Sequence, residues 1–314
     1  MGKTAIQWTD YSWPVINGCR RISTGCGCAD GGGCYAERLT ATRLRHLPKY
    51  KGLAVMTPSG PRWTGEARLW VPDLDMPLKL RKPSRIFVCD MGDLFYEEVT
   101  NEEIAAVFGV MAACPQHTFQ ILTKRPKRMR AWFEWVCGLG VASAVAARAA
   151  GGCVSVAWWT TYHTWCAAIE HTSVIDNNQA AWPLPDVWLG VSVENRATLR
   201  RIDDLLATPA AVHFASLEPL LEDLGDLTPW LKGQEQGFDS LGASLTWCII
   251  GGESGPRARP MDLAWARSII AQCKAAGVKV FCKQLGARPT CTHGPDTFPL
   301  RDRKGGDPTE WPVD

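Results

Sequence analysis

The chain has 314 residues, 46% of them hydrophobic and 21% charged, and a net charge of +2, a composition that can bury a large core and exerts no global pull toward nucleic acid or acidic membranes. Met1–Asp10 lacks the basic-then-apolar order of a signal peptide, and no uncharged apolar run approaches the roughly 18 residues of a membrane span. The expectation is a cytoplasmic protein with no membrane partner.

In chain order, a first strand is expected near Trp13–Asn17, then strands over Arg85–Asp90, Thr118–Lys124, Val187–Glu194, Val212–Glu218, Trp247–Glu253 and Val278–Gln284. Each is a short β-branched or aromatic run ending in polar residues. Between them Asn101–Cys114, Pro126–Val136, Asn195–Ala207 and Asp262–Ala276 read as amphipathic helices. Asn101–Glu103 suits a helix N-terminus, and Gly277 stands where a helix-ending glycine belongs. Strands alternating with helices make an α/β chain with a parallel sheet, either a full or partial (β/α) barrel or an open doubly wound sheet. The barrel is expected to occupy residues 1–286, interrupted at about 137–185 by an Ala/Gly-rich and Trp-rich insertion that covers the mouth, binds a partner or is a surface excursion; residues 287–314 read as an irregular tail.

In either architecture the functional face lies at the C-terminal strand ends. The candidates there are Asp90, Asp93, Thr123, Lys124, Ser192, Glu194, Ser216, Glu218, Glu253, Ser254, Lys283 and Gln284. The run Lys124-Arg125-Pro126-Lys127-Arg128 could form a local basic patch for nucleic acid, or a solvated surface face.

Thirteen cysteines, an odd number without a signal peptide, argue for reduced thiols, some of them ligating metal. Four of them, Cys19, Cys26, Cys28 and Cys34, crowd a glycine-rich loop after the first strand. Glycine lets such a loop wrap a soft metal centre and turn N–H groups toward it. An iron–sulfur cluster, a structural zinc and unligated thiols all stand open on spacing alone, although a barrel mouth favours the cluster. Cys89, Cys248 and Cys282, inside strands, read as buried hydrophobes.

Gln7-Trp8-Thr9-Asp10, Gly18-Cys19, Gly25-Cys26, Cys34-Tyr35-Ala36-Glu37, Arg85-Ile86-Phe87-Val88, Asp93-Leu94-Phe95, Leu122-Thr123-Lys124-Arg125-Pro126, Leu189-Gly190-Val191-Ser192-Val193-Glu194-Asn195, Glu218-Pro219-Leu220 and Gly251-Gly252-Glu253-Ser254-Gly255 together resemble the phage Gp37/Gp68 family. That family is a domain of unknown function whose three-cysteine motif places it near the radical S-adenosylmethionine (SAM) enzymes. The resemblance implies a [4Fe-4S] cluster on Cys19, Cys26 and Cys34, with Cys28 in reserve because five extra residues precede Cys34. It also implies SAM as cofactor, reductive SAM cleavage, hydrogen abstraction from substrate, and a one-electron donor such as a flavodoxin. Asp90 or Asp93 would then meet the SAM ammonium, Lys124 its carboxylate, and Ser192 with Glu194 its ribose, by charge and hydrogen-bond matching. Glu218 and Glu253 join them as cofactor or substrate contacts. Gly251-Gly252-Glu253 is similar to the SAM-amine signature but ends a late strand.

The implied activity is hydrogen abstraction from a nucleic-acid base or modified nucleotide in phage DNA, for example isomerisation of an amino-acid-modified thymidine inside an infected host. The alternative is a zinc-containing, non-radical DNA-processing or partner-binding phage protein.

Overall fold

A computed structural model describes residues 1–27, 33–136, 183–232, 243–255, 257–291, 300–302, 304, 306–307 and 309. Cys28, most of the expected insertion (137–182) and much of the tail lie outside the described residues. The chain is mixed α/β around a large, mostly parallel sheet, and it divides into two units.

The first unit comprises Met1–Arg20, Ala36–Trp188 and Thr208–Ala211. It holds β1 (Gly2–Lys3), β2 (Tyr11–Trp13), β3 (Ile16–Asn17), α1 (Tyr35–Ala41, from Ala36 onward), β4 (Ala54–Thr57), β5 (Gly60–Trp63), β6 (Arg68–Leu69), β7 (Arg85–Val88), α2 (Asn101–Ala112), β8 (Thr118–Thr123) and a helix over 126–136, α3. Its strands run in the order β1-β2-β7-β8, with β1 antiparallel to β2 and the next two pairings parallel. Consecutive burial of Phe119, Gln120 and Ile121 on β8 is the pattern of a parallel strand covered on both faces. Trp132 of α3 packs on Phe108 of α2 at 4.4 Å between ring centroids. The α2 N-cap is Thr100, one residue earlier than the sequence suggests. Its hydroxyl accepts the Glu103 N–H at 3.2 Å while Glu103 Oε2 accepts the Thr100 N–H at 2.9 Å, a reciprocal capping box.

The early strand expected over Trp13–Asn17 is two strands. Pro14 has no N–H for a ladder, the Val15 amide turns back to the Trp13 carbonyl at 2.8 Å, and Ile16–Asn17 pairs antiparallel with β6.

The second unit comprises Arg21–Tyr35, Leu189–Ala207 and Val212–Asp314. It holds β9 (Val187–Ser192, from Leu189 onward), α4 (Arg200–Leu206) after a 3-10 turn at Arg196–Thr198, β10 (Val212–Leu217), α5 (Thr228–Leu231), β11 (Trp247–Gly251), β12 (Met261–Asp262), α6 (Leu263–Ala276), β13 (Lys279–Gln284) and β14 (Pro289–Thr290). The strand order is β9-β10-β11-β13, and β11 is parallel to both β10 and β13. Asp262 caps α6 through the Ala264 N–H at 2.8 Å, and Gly277 ends it at φ 69°, the left-handed turn glycine takes without strain. Gly190 is required by close packing: a Cβ there would meet the Phe214 ring at 2.4 Å. No helix among the described residues is long and apolar enough to cross a membrane.

Candidate functional site

In the first unit the chain leaving β3 meets the loop that follows β7. Gly18 forms a parallel bridge with Gly92, and the Gly18 N–H donates to the Met91 carbonyl at 3.2 Å. Both positions need glycine, because a Cβ on Gly92 would stand 2.8 Å from the Ile16 carbonyl oxygen and one on Gly18 would stand 2.2 Å from that of Glu66. The loop opens with Cys89 at φ 62°, a left-handed conformation that costs a non-glycine residue on the order of 1 kcal/mol.

This bridge sets Cys19 and Asp93, the next residue on each side, within one network whose centre is Arg125. The Arg125 guanidinium donates through Nη1 to Asp93 Oδ2 (3.0 Å) and to the Cys19 sulfur (3.4 Å), through Nε to Glu97 Oε2 (2.8 Å), and through Nη2 to the Arg20 carbonyl (2.8 Å). Its Cζ lies over the Tyr96 ring, 4.7 Å from the centroid. Asp93 is also tied to the Thr123 hydroxyl at 2.7 Å and to the Phe95 and Lys124 amides at 3.0 and 3.1 Å. Arg125 is 5% exposed and Asp93 6%. Burial alone opposes the Arg125 charge, but Asp93, the Cys19 sulfur and Glu97 outweigh it and raise its pKa above the ordinary arginine value.

The expected basic patch is therefore not one solvated face. Arg125 is buried and Arg128 bonds the Val99 carbonyl and Asn101 at 3.2 and 2.6 Å, which leaves Lys127 exposed and Lys124 half-buried. Asp90 does not join Asp93. It faces Ser12 and Lys49, and burial pushes its carboxyl above the usual carboxylate range against the pull of both.

In the second unit the turn that carries Cys26, a 3-10 helix at Thr24–Cys26, is fastened to strand-end side chains. The Gly25 N–H donates to Glu194 Oε1 at 3.2 Å, while Glu194 Oε2 accepts from Arg201 Nη1 at 2.8 Å. Arg201 also donates to the Ser192 carbonyl at 2.7 Å, and Asn195 Nδ2 reaches the Thr24 hydroxyl at 3.1 Å. Glu194 is 0% exposed, so its carboxylate is spent on the loop and on Arg201. Glu253 grips Arg259 with both oxygens (2.8 and 3.0 Å), and Arg259 Nη1 donates to the Thr24 carbonyl at 2.8 Å. Sequence reasoning named Glu194 and Glu253 as ligand contacts and missed Arg201 and Arg259, the cations that complete them. For Arg201 a signal existed: a charge inside the helix that follows the acidic strand end.

A separate cluster joins Glu218, beyond β10, to the end of β13. Lys283 Nζ contacts both Glu218 oxygens (2.9 and 3.0 Å), and Gln284 Nε2 bridges Glu218 Oε1 (2.8 Å) and the Gly252 carbonyl (3.0 Å). The pairing is partly open to solvent, with side-chain exposures of 26% for Lys283 and 18% for Glu218. Burial, with Glu218 nearby, pushes the Cys282 thiol up to about 12.

Cys19, Cys26 and Cys34 form no disulfide among the described residues and are partly exposed, as are Cys282 and Cys291, whereas Cys89, Cys114, Cys248 and Cys273 are buried. In donor chemistry the three loop thiols suit a soft metal centre. Among the described residues no group of three or more His, Cys, Asp or Glu side chains is gathered as a metal site.

These features define a mixed α/β protein in which, within each unit, polar groups at the C-terminal strand ends hold part of the cysteine-bearing segment. The chain belongs to the family described as "Protein of unknown function (DUF5131)", whose model matches residues 3–297. No curated protein and no solved structure matches it.

Proposed function

We propose that the protein is a radical SAM enzyme of the phage Gp37/Gp68 type, built on a full or partial (β/α) barrel. In this reading Cys19, Cys26 and Cys34 hold a [4Fe-4S] cluster. When bound, the cluster supplies the electron that cleaves SAM, so that hydrogen can be abstracted from an unactivated carbon of the substrate. The observation that carries the reading is the cysteine loop itself: its partly exposed thiols alternate with backbone atoms that polar side chains hold in place, at Gly25 by the buried strand-end Glu194 and at Thr24 by Arg259, itself gripped by Glu253. Rigid anchoring of a ligand loop is what a cluster site needs and what an incidental surface turn does not.

Within this reading the strand-end residues divide by role. Glu194 and Glu253, already bonded within the protein, shape the loop. Asp93 holds Arg125. Glu218 with Lys283 in the second unit, partly open to solvent, and half-buried Lys124 in the first are left as ligand contacts, whereas Asp90 is turned to Ser12 and Lys49 and Ser192 is buried. A modified nucleobase in phage DNA remains the proposed substrate, with a flavodoxin-like electron donor in the host cytoplasm.

Anaerobic purification and reconstitution with iron and sulfide test the proposal. A brown protein absorbing at roughly 400 nm with about four irons per chain is expected, losing its colour on Cys19→Ala, Cys26→Ala or Cys34→Ala but not on Cys28→Ala. With SAM and dithionite it should release 5′-deoxyadenosine. Colourless protein with one bound zinc sinks the reading in favour of the non-radical alternative.

A further inference from the structure

We infer that Arg125 is a positioning residue that grips the cysteine loop at Cys19–Arg20 and presents an N–H to the Cys19 sulfur. The inference rests on the proposed role of Cys19 as a cluster ligand, but its geometry stands alone. One planar guanidinium meets four partners at once, Asp93, Glu97, the Arg20 carbonyl and the Cys19 sulfur, at 2.8 to 3.4 Å. Only arginine has a rigid fork with enough donors for this set.

Every other partner fixes the fork rather than competing for it. Asp93 is held by the Thr123 hydroxyl and two backbone amides. The Tyr96 ring lies against the guanidinium carbon at 4.7 Å and is itself pinned through its hydroxyl to the Gly65 carbonyl at 2.6 Å. The Gly18–Gly92 bridge brings the two backbones together without intervening side chains. A preset donor aimed at a ligand sulfur withdraws charge from it, and hydrogen bonds to cluster sulfurs and ligand thiolates raise the reduction potential. Arg125 therefore has two separable effects, one on the loop backbone and one on the sulfur.

Both are measured on the full chain with Arg125→Lys, which keeps the charge and loses the fork, and Glu97→Ala, which removes a half-exposed brace and spares the buried pair. Melting curves establish that each variant is folded. In the metal-free protein, trypsin cleavage after Arg20 is followed by mass spectrometry, with exposed Arg81 as internal control. Release of the Arg20 carbonyl should make cleavage after Arg20 several-fold faster in Arg125→Lys, and less so in Glu97→Ala, with the rate at Arg81 unchanged. In the reconstituted protein the midpoint potential should shift to more negative values in Arg125→Lys at unchanged iron content.

Unchanged cleavage overturns the grip. Faster cleavage with an unchanged potential reduces Arg125 to a structural brace and overturns the role at the sulfur. A wild-type chain that takes up no iron refutes the cluster reading instead, and the cleavage comparison still decides whether Arg125 holds the loop.

Discussion

Gly25 and Glu194, 169 residues apart, are joined by a hydrogen bond of 3.2 Å, and a Cβ on Gly25 would stand 2.8 Å from the Glu194 carboxyl carbon. A strand-end acid thus recognises the absence of a side chain on the cysteine loop. Gly25→Ala should displace the turn and expose Cys26, read as faster alkylation of Cys26 in the metal-free protein with only a small change in melting temperature. An unchanged alkylation rate would show that Glu194 does not set the turn.

Glu194 and Arg201 form a buried ion pair at 2.8 Å, with side-chain exposures of 0% and 9%. Removing one partner strands the other charge, so Glu194→Gln should cost about 3 kcal/mol in urea unfolding. Glu194→Leu with Arg201→Met should recover most of that loss, since no charge is then left buried. A double variant as unstable as the single one contradicts this.

Gly252 lies so close to the segment after β13 that an added Cβ would fall 2.2 Å from the Leu285 carbonyl oxygen. Backbone cannot yield as a flexible side chain does, so Gly252→Ala is expected to be among the most damaging single changes, on the order of 3 kcal/mol or more. Gly2→Ala, with nothing within 4 Å of its Cβ among the described residues, is the matched control and should melt like wild type.

Asp186 supplies a pH prediction. Burial raises its pKa to about 6, and its Oδ2 has no hydrogen-bond partner among the described residues. An unfolded aspartate titrates near 3.9, so between about pH 4 and pH 6 the unfolded chain gives up its proton first and the folded state loses stability. The loss is complete above the folded pKa. Asp186→Asn should therefore be more stable than wild type at pH 7, by roughly 1–2 kcal/mol allowing for partial exposure, and indistinguishable from it below pH 4. Melting curves at the two pH values check the sign.

The capping box of α2 offers a milder test. Thr100→Ala removes the acceptor for the Glu103 N–H and should lower stability by about 1 kcal/mol, visible as a lower urea midpoint with unchanged slope.

Six of the expected strands, Arg85–Asp90 through Val278–Gln284, fall on observed ones and differ by one or two residues at their ends. Their signal is local: continuous apolar runs follow from burial on both faces, and Asp262 and Gly277 bound α6 by backbone chemistry within a few residues. The polar strand ends and the cysteine loop were legible for the same reason, being patterns along the chain. What each strand-end residue touches was not. Arg125 read as part of a basic run until the fold brought it to Cys19 across 106 residues, and Glu194 read as a ligand contact until Gly25 and Arg201 claimed its oxygens. A side chain's charge is written in the sequence, but its partners depend on which distant backbones approach. At Gly18 and Gly92 that approach rests on two missing Cβ atoms whose common purpose appears only once the loops are side by side.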